Sequence, residues 1–418
     1  MRPRQRAVMS ARSGVESAAT LHSVLGRRHK PDYGLLTAML FLVAIGLVVI
    51  YSISPALSVQ LNGNVDSNHF MYRQLLFLLC GFTAFAFGSS VPLTLWAKLY
   101  RYIIIAAIVS FFLLFIPAFS ITYLGATRWV HIGPINYQPA ELLKFGMLFY
   151  VAAYLAQKVR SREIDSDETT RWFLIVMALT GLEIVIIQRD LGTMIPIAAI
   201  MLTMLYVSGM AKRRFLAILG VLVLAAALSI LPFQHRRERV FTFLNSSADA
   251  EGSGWHINQA LIAVGSGGVM GEGLGKSVQA FGYVPEAAND SIFAIMAEKF
   301  GFVGLMVVFA IYGGLLLRIL DVAQRAPNHY LQLIAVGVFA WLAIQAFVNI
   351  GAMLGIMPLT GVTLPFLSFG GTSLVFTMTA LGVVFNISRY TLLGRLNEGA
   401  QHVDSDGRRR VGRPRYAA

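Results

Sequence analysis

The side chains best suited to chemistry lie in the longest polar stretch of the chain, residues 232–290. This stretch ends in Y-V-P-E-A-A-N-D, so Glu286 and Asp290 are four residues apart and Asp290 directly precedes a long apolar run. A carboxylate at the edge of an outer cavity can accept a proton from a hydroxyl group or bind a divalent cation such as Mg²⁺ or Mn²⁺. The alternative interpretation is that Asp290 only caps the helix that follows it.

The middle of the same stretch is rich in glycine and reads A-V-G-S-G-G-V-M-G-E-G-L-G-K-S. It is not a nucleotide-binding loop, because Met270 stands where G-x-x-x-x-G-K-S requires its first glycine. The preceding I-N-Q-A-L-I-A-V predicts a short amphipathic helix on the membrane face. Lys276 then lies where an anion can bind.

Three further segments hold polar groups near apolar runs. Arg128, in G-A-T-R-W, has the planar guanidinium that suits bidentate recognition of phosphate. Glu141 and Lys144, in Q-P-A-E-L-L-K, are three residues apart and share a helix face. They form either a local ion pair or a contact with substrate, and the pattern favours neither. Asp190, in Q-R-D-L-G-T, caps a helix or forms part of a polar floor.

Near the C-terminus, G-I-M-P-L-T-G-V-T-L-P-F-L-S-F-G-G-T-S interrupts an otherwise apolar region. Its prolines and glycines stop regular helix, and irregular backbone at membrane depth is tolerated where it lines a cavity or is buried in protein. Ser368 is the hydroxyl that we expect to contact substrate there. On physical grounds alone, the segment suits either a substrate floor or the discontinuous helix of a transporter.

Almost everything else in the chain is apolar, with 56% hydrophobic and only 13% charged residues. Runs of about 20 apolar residues predict membrane-spanning helices. The fold class is therefore all-α and polytopic, with a large outer loop between helices 7 and 8. We predict ten spans, at Leu35–Ile53, Met71–Val91, Leu99–Phe119, Pro139–Gln157, Trp172–Ile187, Leu191–Gly209, Phe215–Leu231, Ser291–Leu320, Tyr330–Gly355 and Leu367–Ile387.

The net charge of +13 follows this topology. Most Lys and Arg residues fall in the tails and in alternate short loops, which predicts that both termini are cytoplasmic. These charges suit contacts with anionic lipids, and no motif for nucleic acid accompanies them. We predict disordered basic tails at residues 1–33 and 391–418 around one membrane domain, residues 34–390. The single Cys80 excludes a disulfide within the chain.

Taken together, these segments resemble the SEDS family (shape, elongation, division and sporulation), which includes FtsW and RodA. The match runs in order through A-T-R-W, Q-P-A-E-L-L-K, Q-R-D-L-G-T, the glycine-rich stretch, V-P-E-A-A-N-D-S-I-F-A-I-M-A-E-K-F-G and G-V-T-L-P-F-L-S-F-G-G-T-S. The P-E-A-x-x-D pattern and G-V-T-L-P look more like the division branch (FtsW) than the elongation branch (RodA).

The resemblance implies a ten-span peptidoglycan glycosyltransferase of the bacterial cytoplasmic membrane, acting at the division septum. Its substrate would be lipid II, the undecaprenyl-diphosphate-linked disaccharide-pentapeptide. Its partners would be a class B penicillin-binding protein and other division proteins, and Asp290 matches the essential loop aspartate of the family. Arg128, Lys144 and Lys276 would then steady the diphosphate. A lipid II flippase and an elongation-type polymerase are the alternatives.

Six positions depart from the family pattern. Trp255 and His256 replace the more usual aromatic–glutamine pair, and Ser291 replaces a common phenylalanine. Ala288 and Asn289 replace a common His-Thr pair before the aspartate. Thr360 stands where some division-branch members have lysine, so no role of that lysine is transferred. These departures do not remove the residues expected to carry the chemistry. They do mean that the geometry of the loop cannot be transferred from other members of the family.

Overall fold

The computed structural model describes residues 28–61, 66–123, 126–132, 135–244, 254–279 and 282–391. Twelve α-helices and one small sheet form in these residues. Most of the predicted tails, residues 1–33 and 391–418, lies outside the described part, namely residues 1–27 and 392–418, as does part of the outer loop. The helices are α1 Tyr33–Leu61, α2 His69–Ser90, α3 Leu93–Phe112, α4 Pro139–Arg160, α5 Asp167–Gly181, α6 Leu191–Val207, α7 Lys212–Leu228, α8 Gln234–Leu244, α9 Trp255–Ser266, α10 Ile292–Gln324, α11 His329–Met353 and α12 Gly371–Ile387.

The prediction of a polytopic helical membrane protein is confirmed. Eight helical segments among the described residues are long and apolar enough to cross a membrane. Helices α6 and α7 have 17 residues each, fewer than the roughly 20 that a span through about 30 Å of hydrocarbon needs. The predicted number of ten spans is therefore not confirmed.

Helix α11 lies at the centre of the bundle and packs against α4, α6 and α10. Helices α2 and α12 form another extensive contact, in which glycines let the backbones approach. A Cβ atom on Gly88 would lie 2.6 Å from the carbonyl oxygen of Thr379, and one on Gly382 would lie 2.5 Å from that of Phe85. This contact holds α12, and the irregular segment before it, against the rest of the bundle.

The region between α3 and α4, to which the predicted spans assign no structure, is not an irregular loop. It contains a three-stranded antiparallel sheet of β1 Ser120–Tyr123, β2 Ala126–Ile132 and β3 Ile135–Tyr137. The segments I-T-Y, T-R-W-V-H-I and I-N-Y are rich in β-branched and aromatic residues, which favour strands. Val130 of β2 is fully buried against Phe111 and Leu114, so the sheet is attached to the end of α3.

The third predicted span, Leu99–Phe119, was placed about six residues too late. Helix α3 begins at Leu93 and is followed by a 3₁₀ turn at Leu113–Phe115. Lys98, just before the predicted span, and Arg101, at its start, both lie within the first turns of α3. Lysine and arginine at a helix end keep their charges in water while their stems cover apolar surface, so they do not mark the helix boundary.

The irregular segment between α11 and α12 was predicted correctly from its prolines and glycines. Residues 354–370 contain no α-helix or strand. Its backbone is held by neighbouring helices: a Cβ atom on Gly46 of α1 would lie 2.6 Å from the carbonyl oxygen of Leu367. Another on Gly192 of α6 would lie 2.3 Å from that of Thr360. We call residues 354–370 the broken segment.

Candidate active site

Asp290 lies at the end of a tight turn, Pro285–Ser291, immediately before α10. Ser291 occupies the N-cap position of α10, and neither side chain caps the helix. The alternative interpretation of Asp290 as a helix cap is therefore wrong. Glu286, the second residue of the turn, has a left-handed backbone with φ 52°. This conformation is uncommon for a residue with a side chain and tends to occur at functional sites.

The carboxylate of Asp290 is enclosed, and no residue in the described part of the chain forms a direct ion pair with it. The residue is 9% exposed, and its Oδ1 atom is buried without a hydrogen-bond partner. Burial raises the pKa of Asp290 to about 7, and the negative charge of Glu286 acts in the same direction, whereas Arg239 opposes it. A carboxylate with a pKa near neutrality can take up and release a proton under physiological conditions.

The turn that carries Asp290 is held by α11 and by the broken segment. Asn349 of α11 donates from Nδ2 to the carbonyl oxygens of Asp290, at 2.6 Å, and Val362, at 2.7 Å. The backbone N–H of Phe369 donates to the carbonyl of Ala288 at 2.8 Å. These bonds fix the backbone of Asp290 to the helical core, so the side chain has a defined direction.

Arg128 of β2 reaches the short turn between α5 and α6. Its Nε donates to the carbonyl of Gln188 at 3.3 Å and its Nη2 to that of Arg189 at 2.8 Å. Its Nε also lies 4.0 Å from Oδ2 of Asp190. Asp190 caps α6 as predicted, because its carboxylate accepts from the backbone N–H of Thr193 at 3.1 Å. Asp190 therefore both caps α6 and belongs to the polar site.

Two further arginines belong to this site, and sequence reasoning missed both. Arg236 and Arg239 are three residues apart on α8, so they lie on one face of that helix. Arg236 donates to the carbonyls of Ser229, at 2.8 Å, and Val185. Arg239 donates to the carbonyl of Leu359 in the broken segment at 3.1 Å. The sequence R-R-E-R carries the signal, because it places two arginines three residues apart. In the sequence these arginines were interpreted only as part of the net charge of the outer loop.

The π-helical turn Leu182–Ile187 at the end of α5 helps to make this geometry. In this turn the N–H of Gln188 bonds to the carbonyl of Glu183, five residues back. Single π turns often occur at functional sites because they change the direction of backbone groups. Here the carbonyl of Val185 accepts a bond from Arg236.

The charges on β2, at the start of α6 and on α8 act on one another across the site. Burial lowers the pKa of Arg239, the positive charge of Arg128 acts in the same direction, and Asp190 and Asp290 oppose it. Arginine nevertheless stays protonated. The site therefore brings Arg128, Arg236 and Arg239 into one positive region that faces the carboxylates of Asp190 and Asp290.

The other predicted site residues lie elsewhere or make structural contacts. Glu141 and Lys144 form a buried ion pair at 2.8 Å, and Lys144 Nζ lies 5.2 Å from the ring centre of Trp341. Lys276 is exposed, and no hydrogen bond of the described residues joins it to Asp290. The Oγ of Ser368 accepts from the N–H of Leu364 at 2.7 Å and lines a small cavity under the broken segment. Their predicted contacts with substrate stay predictions.

The predicted divalent cation has limited support from the side chains present. The described residues contain no group of three or more His, Cys, Asp or Glu side chains that could hold a metal ion. Asp290 supplies one carboxylate, and the charged side chains that act on it are Glu286 and Arg239. A cation at Asp290 would need oxygens of a bound diphosphate as further ligands. We therefore derive no step through a metal.

Comparison with known proteins identifies the family. The family model for cell cycle proteins of the FtsW, RodA and SpoVE type matches residues 33–392. The chain belongs to the FtsW/RodA/SpoVE family. The resemblance inferred from the ordered motifs is thus confirmed, and the match covers all of the described membrane helices.

The chain matches relatives in the FtsW/RodA/SpoVE family over nearly the whole length of those relatives. The chain is 35% identical to stage V sporulation protein E of Bacillus subtilis, over 87% of this chain and 99% of that protein. It is 33% identical to the probable peptidoglycan glycosyltransferase FtsW of Nitrosomonas europaea, over 85% of this chain and 92% of that protein.

Solved structures of the family share the fold. A chain of a peptidoglycan synthase complex that coordinates polymerization and crosslinking superimposes with a TM-score of 0.68, at 26% identity and over 86% of this chain and 98% of that one. The rod shape determining protein RodA of Thermus thermophilus superimposes with a TM-score of 0.60, at 26% identity and over 87% of this chain and 98% of that one.

Proposed function

We propose that this protein is a peptidoglycan glycosyltransferase that polymerises lipid II at the outer face of the bacterial cytoplasmic membrane. The observation that carries the proposal is the buried carboxylate of Asp290, whose Oδ1 has no hydrogen-bond partner among the described residues, in the same site as an arginine cluster. Relatives with the name peptidoglycan glycosyltransferase FtsW, at 33% identity or more, support the same reaction class. Several such relatives also favour the division branch, and hence action at the septum.

The donor in this reaction is a sugar whose anomeric carbon carries a lipid diphosphate. Asp290, ionised above pH about 7, accepts the proton of the acceptor hydroxyl. The acceptor oxygen forms a bond to the anomeric carbon while the bond from that carbon to the diphosphate oxygen breaks. The electron pair and the negative charge leave with the diphosphate, and the proton stays on Asp290 until solvent removes it.

The arginine cluster suits the leaving group. Charge develops on the bridging oxygen of the diphosphate as the glycosidic bond breaks, and fixed positive groups in a site of low dielectric constant stabilise that charge. Arg128 is held by the carbonyls of Gln188 and Arg189, and Arg239 by that of Leu359, so both guanidinium groups are fixed in advance. We expect Arg128→Ala to lower kcat/KM for the donor by about tenfold to a hundredfold.

The partner and the setting follow from the same comparisons. The similarity to a chain of a peptidoglycan synthase complex supports assembly with a crosslinking enzyme, for which a class B penicillin-binding protein is our proposal. Other division proteins and anionic membrane lipids would complete the setting, with both termini in the cytoplasm. Asp290 and the arginines would then lie on the outer side.

The rival function is transport of lipid II across the membrane. The broken segment supports it, because discontinuous helices line the substrate sites of many transporters. The test uses liposomes that contain the purified protein and labelled lipid II, with and without a crosslinking partner inactivated in transpeptidation. Glycan ladders that appear with the wild-type protein support the polymerase. Transfer of the label between leaflets with no ladder would support the transporter instead.

A further inference from the structure

A hydrogen-bonded pair joins the outer loop to the turn that carries Asp290. The Nε2 atom of His256, near the start of α9, is 2.6 Å from the Oγ atom of Ser291. The same Oγ lies 2.8 Å from the carbonyl oxygen of Pro285, to which it donates. Ser291 is fully buried, and it directly follows Asp290 in the chain. The Ser291–Pro285 bond therefore closes the turn from its first residue to its last, and the His256–Ser291 bond attaches the turn to α9.

The protons of this pair can be assigned from the donors and acceptors. The hydroxyl of Ser291 has one hydrogen, which it donates to the carbonyl of Pro285, and the Asp290 carboxyl, whose pKa Ser291 lowers, is a second acceptor for it. When that hydrogen goes to either oxygen, Nε2 of His256 donates to the hydroxyl oxygen, and the neutral ring carries its proton on Nε2. Burial lowers the pKa of His256 to about 4, and the charge of Arg239 acts in the same direction. The ring therefore stays neutral across the physiological range.

The other attachments of the turn come from the opposite side. Asn349 holds the carbonyl of Asp290, and the N–H of Phe369 holds that of Ala288. Within the turn, the N–H of Ser291 lies 3.3 Å from the carbonyl of Glu286. His256 supplies the attachment from α9, and without it the turn is held by α11 and the broken segment alone, as far as the described residues show.

We propose that His256 and Ser291 form a positioning pair that fixes the direction of the Asp290 side chain for the reaction. Both positions are among the departures noted in the sequence, and the structure shows that these two departures contact each other. Neither residue needs to touch the substrate. Their effect on rate rests on the proposed function, whereas their effect on the turn does not.

The first test measures the turn itself, without any substrate. Hydrogen–deuterium exchange of a peptide covering residues 282–292 reports how firmly the turn is held. His256→Leu removes the donor while keeping a side chain of similar size, and His256→Gln keeps an N–H donor near the position of Nε2. We expect faster exchange in His256→Leu and in Ser291→Ala, and exchange close to the wild-type rate in His256→Gln. Equal exchange in all three variants and the wild type would overturn the proposal.

The second test measures polymerisation with the same variants. A displaced catalytic group costs about tenfold to a hundredfold in rate, so we expect kcat to fall by that factor in His256→Leu and Ser291→Ala while KM for the donor stays within about twofold. His256→Gln should restore most of the lost rate. The double variant His256→Leu/Ser291→Ala should be no slower than either single variant, because both remove one unit. Losses that multiply in the double variant would contradict a shared role.

The pH profile separates positioning from proton transfer by His256. Arg239, Glu286 and Asp290 are the charged groups that face this pair, and Asp290 is the one expected to titrate near pH 7. The rise of kcat/KM with pH should therefore persist in His256→Gln. Disappearance of that rise in His256→Gln would make His256 the base and overturn the proposal. Absence of polymerisation in the wild type would refute the proposed function while leaving the exchange result to decide the pair.

Discussion

Replacing Asp290 by asparagine should stabilise the protein at neutral and alkaline pH while removing its activity. The carboxylate is 9% exposed, and its Oδ1 has no hydrogen-bond partner. Ionising a buried, unpaired carboxylate costs free energy, and an amide of the same shape does not incur this cost. Catalytic groups commonly carry such a cost, because the environment that tunes their pKa also destabilises the fold.

The size of the effect follows from the raised pKa. The pKa of Asp290 rises from its ordinary value of 3.8 to about 7. Between these values the unfolded chain has released its proton while the folded chain still holds it, so the free energy of unfolding falls as pH rises. The fall is complete above pH 7 and amounts to about 4 kcal/mol, since each pKa unit corresponds to about 1.4 kcal/mol.

The assay is thermal unfolding of the purified protein in detergent at pH 5 and pH 8. The advantage of Asp290→Asn over the wild type should grow by about 3 kcal/mol between these two pH values. Glu272→Gln is the matched control, because Glu272 is an exposed carboxylate of the same outer loop. It should show no such growth. An Asp290→Asn protein that is less stable than the wild type at pH 8, or equally pH-dependent, would refute this reasoning.

Two further predictions concern buried charges outside the site. Lys144→Met should lower the free energy of unfolding by about 3–5 kcal/mol, because Glu141 is left buried without its partner. Arg325→Ala, which breaks an exposed ion pair, should cost less than about 1 kcal/mol in the same thermal assay, and equal losses would contradict the role of burial. Glu298→Gln should speed hydrogen exchange at residues 274–279, because Glu298 accepts bonds from the Oγ of Ser277 and two backbone N–H groups there. Unchanged exchange would show that this carboxylate does not anchor the loop.

Membrane helices and their interruptions could be predicted because each signal is local. A long apolar run has few alternatives to a helix in a bilayer, and prolines and glycines mark where the helix stops. Helix α11 and the broken segment were therefore placed to within a few residues. The strands β1–β3 were missed because they are short, with four, seven and three residues, too few for a clear alternation of polar and apolar side chains.

The site was only half predictable, because the fold brings together residues that are far apart in sequence. Asp290, Arg128 and Asp190 stood out by residue type beside apolar runs, and the structure brings all three together. Arg239 did not stand out, because a basic residue in an outer loop is common and only the fold places it beside Asp290. Lys144 forms the buried ion pair with Glu141 that was one of the two alternatives left open by the sequence.

The most direct test of the central claim is the initial rate of glycan polymerisation by the reconstituted protein with labelled lipid II. The rate of Asp290→Asn is compared with those of the wild type and Glu272→Gln, at equal amounts of folded protein. The account predicts glycan ladders with the wild type and with Glu272→Gln, and none with Asp290→Asn. Ladders of ordinary length and rate from folded Asp290→Asn protein would contradict it.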